Sequence, residues 1–241
     1  MDEEILLDGF HYQPKKIVTD AVPDKSRAVF RAKKMLEGIV YDTVALEDNP
    51  FTFPEVKTLL DGITVGGHKL SDEKQVLSQA KSWKCLLARV ERNQFQLSKN
   101  LFLELHALVA EEEALTWGQF RDGAVSIAGT NHRPPPAVSL DGVFDGGIAE
   151  IHRINNPHEQ AVAFFLFGSL NQFFWDGNKR TSRLMMNGWL LSHGYDVINI
   201  PAAKKLEFNQ KMIRFYDSLD GTEMIDFMVR CSLDTTLKLE R

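Results

Sequence analysis

The stretch "HEQAVAFFLFGSL", residues 158–170, constrains this chain more than any other, because it has the length of a helix and is apolar almost all the way round. A helix of that kind is stable in a water-soluble domain only when other elements cover every side of it. A second segment, "RLMMNGWLLSHG", is nearly as apolar and stops at Gly194, a residue suited to a left-handed cap. Between the two lies "NQFFWDGNKRTSR", Asn171 to Arg183, which carries a carboxylate, amides, a lysine and two arginines. Polar groups at a junction of core helices must find partners close to the middle of the domain.

Helix-period patterns dominate the rest of the chain. Arg27 to Asp48 reads as one amphipathic helix, with Val29, Phe30, Leu36, Ile39, Val40, Val44 and Leu46 at three- and four-residue spacings. "FPEVKTLLDG" puts Pro54 at a helix start and Gly62 at its end; "SDEKQVLSQAKSWKCLLARVERN" opens on a Ser71/Asp72 cap; "SKNLFLELHALVAEEEAL" opens on Ser98. The pattern changes at Trp117. "GAVSIAGTNHRPPPAV" alternates across Val125 and Ile127, contains Gly129 and ends in three prolines, which predicts a short hairpin or flap followed by an extended segment. "DGVFDGG" adds turn chemistry before a helical pattern resumes near Ile148.

Composition narrows the class. At 241 residues with 44% hydrophobic and 25% charged residues, the chain is too apolar for disorder. A net charge of -5 argues against broad electrostatic binding to nucleic acid or anionic lipid and leaves room for a local basic pocket. No apolar run is long enough to cross a bilayer, and the start "MDEEILLDGF" has acids where a secretory signal has basic residues, so a cytoplasmic protein is expected. Cys85 and Cys231 have no metal-ligand spacing and read as reduced core residues.

The junction has the composition of a phosphate site. Asp176, Gly177 and Asn178 lead into a helix whose first N–H groups have no intrahelical acceptor, and such an end attracts anions. Gly177 permits close backbone approach, while Lys179, Arg180 and Arg183 add positive charge. A carboxylate at Asp176 beside phosphate is tolerable when Mg²⁺ bridges the two, so a metal-bound nucleotide di- or triphosphate fits. The residues alone leave a second reading open, in which Asp176 and Asn178 cap the helix and the arginines form internal ion pairs.

"FFWDGNKRTSR" resembles the signature of the Fic (Fido) family, H-x-F-x-[DE]-G-N-x-R-x-x-R, at Phe174, Asp176, Gly177, Asn178, Arg180 and Arg183. "VSIAGTNHRPPPA" looks like the family's flap, and "IPAAKKLEFNQKMIRFYDSLD" like its C-terminal helices. "TVALEDNPFTFPEVKTLLDG" is similar to the N-terminal inhibitory motif, [ST]-x-x-x-E-[GN], which falls on Thr43 and Glu47 with Asp48 in the Gly/Asn position. The resemblance implies an all-α Fic-fold helical bundle with a short β-hairpin flap. It divides the chain into an N-terminal helical region, 1–95, carrying the inhibitory motif, and a core, 96–241. It also implies transfer of AMP from ATP to a hydroxyl of a target protein. Gly177, Asn178 and Lys179 would cradle phosphates, Asp176 would hold Mg²⁺, and Arg180 and Arg183 would hold the distal phosphates. The target would dock on the flap near Val125, Ile127, Gly129 and Thr130 as an added strand. Glu47, steadied by Thr43, would pair with Arg183 in the γ-phosphate position. No nucleic-acid or membrane partner is implied, and a homo-oligomer is compatible with the pattern.

Two departures matter. The family's general-base histidine is Gln172 here, and an amide cannot accept a proton near neutrality. His132 and His158 read as surface or capping residues rather than substitute bases. Lys179 stands where many members have glycine, and the "GNKR" form also occurs in relatives of the death-on-curing toxin, which transfers phosphate. The expectations are therefore a self-inhibited adenylyltransferase, impaired by Gln172, or else an inactive nucleotide-sensing or partner-binding relative, or phosphate transfer as in the death-on-curing relatives. A DNA-binding regulator fits the acidic balance poorly.

Overall fold

The computed structural model describes residues 4–14 and 22–239; residues 1–3 of the acidic start lie outside them. Two helices form the centre. α7 (Pro157–Asn171) starts on an Asn156 cap with proline in its first turn, and His158 through Asn171 are all buried, as a helix apolar on every side requires. The chain turns back through residues 172–177 into α8 (Asn178–Ser192), which is buried apart from Lys179, Trp189 and Ser192 and ends before Gly194 at φ +83°. Glycines let these helices approach their neighbours. A Cβ on Gly168 would lie 2.2 Å from Ser182 Oγ of α8, and one on Gly188 would lie 2.1 Å from the Phe95 ring.

Around the pair stand α4 (Leu70–Glu91), α5 (Lys99–Val109), α6 (Leu140–Ile151), α9 (Lys205–Ser218) and α10 (Thr222–Leu239). Phe102 of α5, Phe144 of α6, Phe164 of α7 and the loop residues Phe173 and Phe174 form a continuous aromatic core. The junction loop is thus anchored by two fully buried rings, and its polar residues are displayed from a rigid base.

Several expected boundaries move. The single helix over 27–48 is two, α1 (Lys25–Lys34) and α2 (Leu36–Leu46), meeting at Met35; α1 buries Ala28, Val29 and Ala32, and Phe30 faces out at 60% exposure. α3 (Phe53–Leu60) has the expected proline start, with a Thr52/Glu55 capping box. α4 begins at Leu70, before Ser71, with Lys69 at the cap position. α6 begins at Leu140 rather than near Ile148: "DGVFDGG" is helical because Gly147 lies against the Phe167 ring, where a Cβ would sit 2.2 Å away. The flap turns at Gly129, φ +83°, but residues 120–136 pair with no strand. Pro134, Pro135 and Pro136 lack the N–H groups that a returning strand must donate. The sheet described is instead β1 (Ile5–Leu7) and β2 (Phe10–Tyr12), an antiparallel hairpin with Leu7 opposite Phe10 across Asp8-Gly9. Asp-Gly between apolar runs is a strong two-residue hairpin signal that the helical reading passed over. Among the described residues, no helix is long and apolar enough to cross a membrane.

Candidate functional site

The loop between α7 and α8 is held by its own side chains. α7 ends at Gln172 in the left-handed region, φ 46°, and Gly177 does the same before α8, φ 75°. Asn178 staples the turn: its Oδ1 accepts from the Phe174 N–H at 2.9 Å, and its Nδ2 donates to Phe174 O at 2.8 Å and to Gln172 Oε1 at 3.0 Å. Gln172 Nε2 donates to Ser169 O at 2.6 Å, so both ends of that amide are engaged inside the loop. Asn178 therefore faces inward as a capping-type residue, while its backbone N–H, with those of Lys179 and Arg180, belongs to the acceptor-free first turn of α8.

Two buried residues outside the motif position this loop. His106 of α5 is fully buried and stacks on Phe174, ring centroids 3.6 Å apart. Its Nδ1 accepts from the Gly118 N–H at 3.1 Å, which leaves Nε2–H to donate to Asp176 O at 3.0 Å. Burial pulls its pKa down to about 4, so it is a neutral prop. Arg121, 3% exposed, donates to three carbonyls at 2.6 Å each: Gln172 O in the loop, Gly123 O before the flap and Pro135 O after it. One guanidinium thus ties both ends of the flap to the loop.

A cleft of about 440 Å³ opens above the first turn of α8. Asp176 to Arg180 and Gln172 form its floor, Ser126 to Ala128 of the flap one wall, and Asn209, Met212, Ile213 and Tyr216 of α9 another. The carboxylate of Glu47 projects into it from the end of α2. Glu47 Oε1 accepts from Arg183 Nη2 at 3.1 Å, and Oε2 lies 3.3 Å from Lys179 Nζ. Burial would raise the Glu47 pKa, but Lys179, Arg183 and Arg180 outweigh it and hold it down to about 2. Asp48, the next residue, adopts φ 64°, which explains why a family pattern would favour Gly or Asn there and why Asp serves. Lys205 fixes this end of α2 by donating to Ala45 O at 2.7 Å and Asp48 Oδ1 at 2.6 Å. Thr43, one turn before Glu47, is buried on the wall of a small cavity that also meets Arg180 and Arg183.

The arginines of the motif are distinct. Arg180, 4% exposed, lies 2.6 Å from Glu113 Oε2 and 3.4 Å from Asp176 Oδ1. Burial opposes its charge, but Glu113, Glu47 and Asp176 raise its pKa overall. Arg183, 5% exposed, has Glu47 as its carboxylate, and burial wins, drawing its pKa below the usual guanidinium range. Arg183 Nε and Nη1 and Arg180 Nη1 are buried without hydrogen-bond partners among the described residues. Unpaired donors on buried cations are costly, and oxygen-rich anions are what satisfies them.

The structure brings Gln172, Asp176, Gly177, Lys179, Arg180 and Glu47 to one cleft, with Arg183 behind Glu47. Val125 and Thr130 lie outside its lining, and Thr130 instead hydrogen-bonds Asp217 of α9. His158 is buried in the first turn of α7 rather than on the surface, with a pKa pulled down to about 4 by burial. His132 is partly buried and contacts Leu170 O at 3.1 Å through Nε2. Glu113, His106 and Arg121 were not singled out by the sequence. Glu113 belongs to the run Glu111–Glu112–Glu113, which reads as a solvated face; Glu111 and Glu112 do pair with surface lysines, and the φ of 62° at Glu112 turns the chain before Glu113. His106 was detectable as a histidine on the apolar stripe of α5, beside Phe102, Leu105 and Val109.

A helix start flanked by a carboxylate, a lysine and two arginines thus sits on a central helix pair inside an all-helical core. Residues 96–190 match the model of the Fic/DOC family, and the chain carries a domain of that family there. Protein adenylyltransferase Fic of Drosophila ananassae is 25% identical over 232 residues, covering 92% of this chain and 45% of its own length. The Drosophila virilis protein of the same name is 24% identical over 231 residues, covering 92% and 46%. The chain thus spans about half the length of the curated relatives it matches. Fic-1 from C. elegans shares the fold with a TM-score of 0.74 at 18% identity, over 87% of this chain and 65% of that one. A Fic-domain signaling protein from Bacteroides thetaiotaomicron gives 0.73 at 18% identity, over 90% of both chains.

Proposed function

We propose that this chain binds a nucleoside triphosphate over the first turn of α8 and transfers AMP from ATP to a protein hydroxyl, and that Glu47 holds the site inhibited. The observation that carries the reading is the Glu47 carboxylate seated in the cleft between Lys179 and Arg183. A carboxylate offers two oxygens in the manner of a phosphate edge, so a triphosphate and Glu47 compete for the same cations. The N–H groups of Asn178, Lys179 and Arg180 would hold phosphate oxygens, with Arg180 at its side. The mixed wall of Asn209, Met212, Ile213 and Tyr216 suits the nucleoside.

Asp176 is the candidate metal residue. Its side chain is 62% exposed beside the helix start, and among the described residues no three His, Cys, Asp or Glu side chains converge as a metal site. That donor set fits Mg²⁺, which takes one protein carboxylate with phosphate oxygens and water. Bound there, the ion would neutralise phosphate charge as it moves to the leaving group.

In the transfer, the hydroxyl oxygen bonds to the α-phosphorus, the bond to the bridging oxygen breaks, and pyrophosphate departs. The flap, whose backbone at Ile127 is free of ladder partners, would align the target segment as an added strand. The hydroxyl proton must go to a base, and Gln172 cannot take it. That fact, together with the engagement of both ends of the Gln172 amide, favours a second reading: a domain that binds nucleotide and signals its presence without transfer.

Label transfer separates the readings. The parent chain and Glu47→Gly are incubated with ATP labelled at the α- or the γ-phosphate, alone and with a lysate. The first reading expects α-label on protein, greater with Glu47→Gly. Transfer of γ-label would mean phosphorylation, and bound nucleotide with no label from either would support the non-transferring reading.

A further inference from the structure

Lys179 and Arg183 are four residues apart on α8, so their side chains share one helix face, where like charges repel. The fold nonetheless brings both cations to one anion: Glu47 Oε1 meets Arg183 and Oε2 meets Lys179. Each carboxylate oxygen is thereby committed to a different side chain. Lys179 lines the cleft and is about one-third exposed, whereas Arg183 is buried behind Glu47. Of the cations that depress the Glu47 pKa against its burial, Lys179 acts most strongly. The neighbouring Arg180 is drawn instead to Glu113 at 2.6 Å, which leaves Lys179 and Arg183 as the pair that Glu47 neutralises.

We propose that Lys179 is a specificity-determining residue of this site: it completes a two-cation clamp that closes on Glu47, as in the structure, and on the terminal phosphate of a nucleoside triphosphate once Glu47 leaves. This rests on the nucleotide reading above and deepens it. When triphosphate displaces Glu47, Lys179 exchanges one anion for another, and its net effect on binding is small. When Glu47 is absent, Lys179 has no prior partner and its full contact with phosphate adds to affinity. A diphosphate does not extend to the clamp and is indifferent to Lys179 in either case.

Calorimetric titration with MgATP and MgADP tests this with four proteins: the parent, Lys179→Gln, Glu47→Gly, and the double variant, each checked for folding by thermal melting. Lys179→Gln should change ATP affinity less than about threefold in the parent and lower it about ten- to hundredfold in Glu47→Gly. ADP affinity should be unchanged throughout, and Lys179→Arg should restore ATP preference in Glu47→Gly. Equal ATP loss in both backgrounds, equal loss of ATP and ADP, or no loss with Glu47→Gly overturns the assignment of Lys179 alone. Absence of both ATP and ADP binding from every protein overturns the nucleotide reading and this assignment with it.

Discussion

Glu47 and Gln172 both line the cleft; on the proposed function, Glu47 carries the charge that blocks it and Gln172 lacks the base that transfer needs. The folded pKa of Glu47 lies below its unfolded value. Its ionised pairing therefore adds stability in full above pH 4.5, and that contribution is lost as pH falls toward 2. Acidification within the physiological range leaves the carboxylate charged, so on the proposed function its release would come from ligand competition or from movement of α2. At Gln172 the backbone, φ 46°, is one that histidine tolerates better than most residues do. Gln172→His in a Glu47→Gly background should raise incorporation of α-label by ~10²–10⁴-fold, the usual contribution of a general base. If the double variant binds ATP and labels no faster than Glu47→Gly, the missing base is not the limiting feature.

The elements hold the site through close helix contacts that single methyl groups can test. Gly168→Ala would push a Cβ into Ser182 across the α7–α8 contact and should destabilise the fold by ~1–3 kcal/mol. Gly142→Ala on α6 meets nothing within 4 Å and should stabilise by roughly 0.5–1 kcal/mol through helix propensity. Thermal unfolding should move by roughly 2–4 °C per kcal/mol, downward for the first and upward for the second. Like movement in both would mean that the packing of α7 on α8 is looser than described. These contacts also explain what was legible beforehand. The all-round apolar α7, the proline start of α3 and the Ser98 cap of α5 followed from local chemistry. The start of α6 did not, because its glycines read as turns until Phe167 is seen against Gly147. The flap was visible as a break in helical pattern ending in three prolines, but the ties that fix it, Arg121 to Gly123 and Pro135, appear only in the fold.

In the whole molecule, the cleft is assembled from segments far apart in sequence: the end of α2, the flap, the junction loop and α9. The motif block marked the helix start that the proposed function makes an anion site, and the family resemblance linked Glu47 to it. Composition and periodicity alone could not, because 136 residues separate Glu47 from Arg183 and only the folded core brings them within 3.1 Å. The supports His106, Glu113 and Arg121 stayed hidden for the same reason: each acts through partners from another element. On the proposed function Glu47 occupies the place of a terminal phosphate, and this is tested by the ratio of MgATP to MgADP affinity in the parent and in Glu47→Gly, measured by calorimetry at pH 5.5 and pH 8. Removing Glu47 should raise the ratio at least tenfold at both pH values while ADP affinity stays level; an unchanged ratio, with both nucleotides bound, would mean that Glu47 does not stand in for a phosphate.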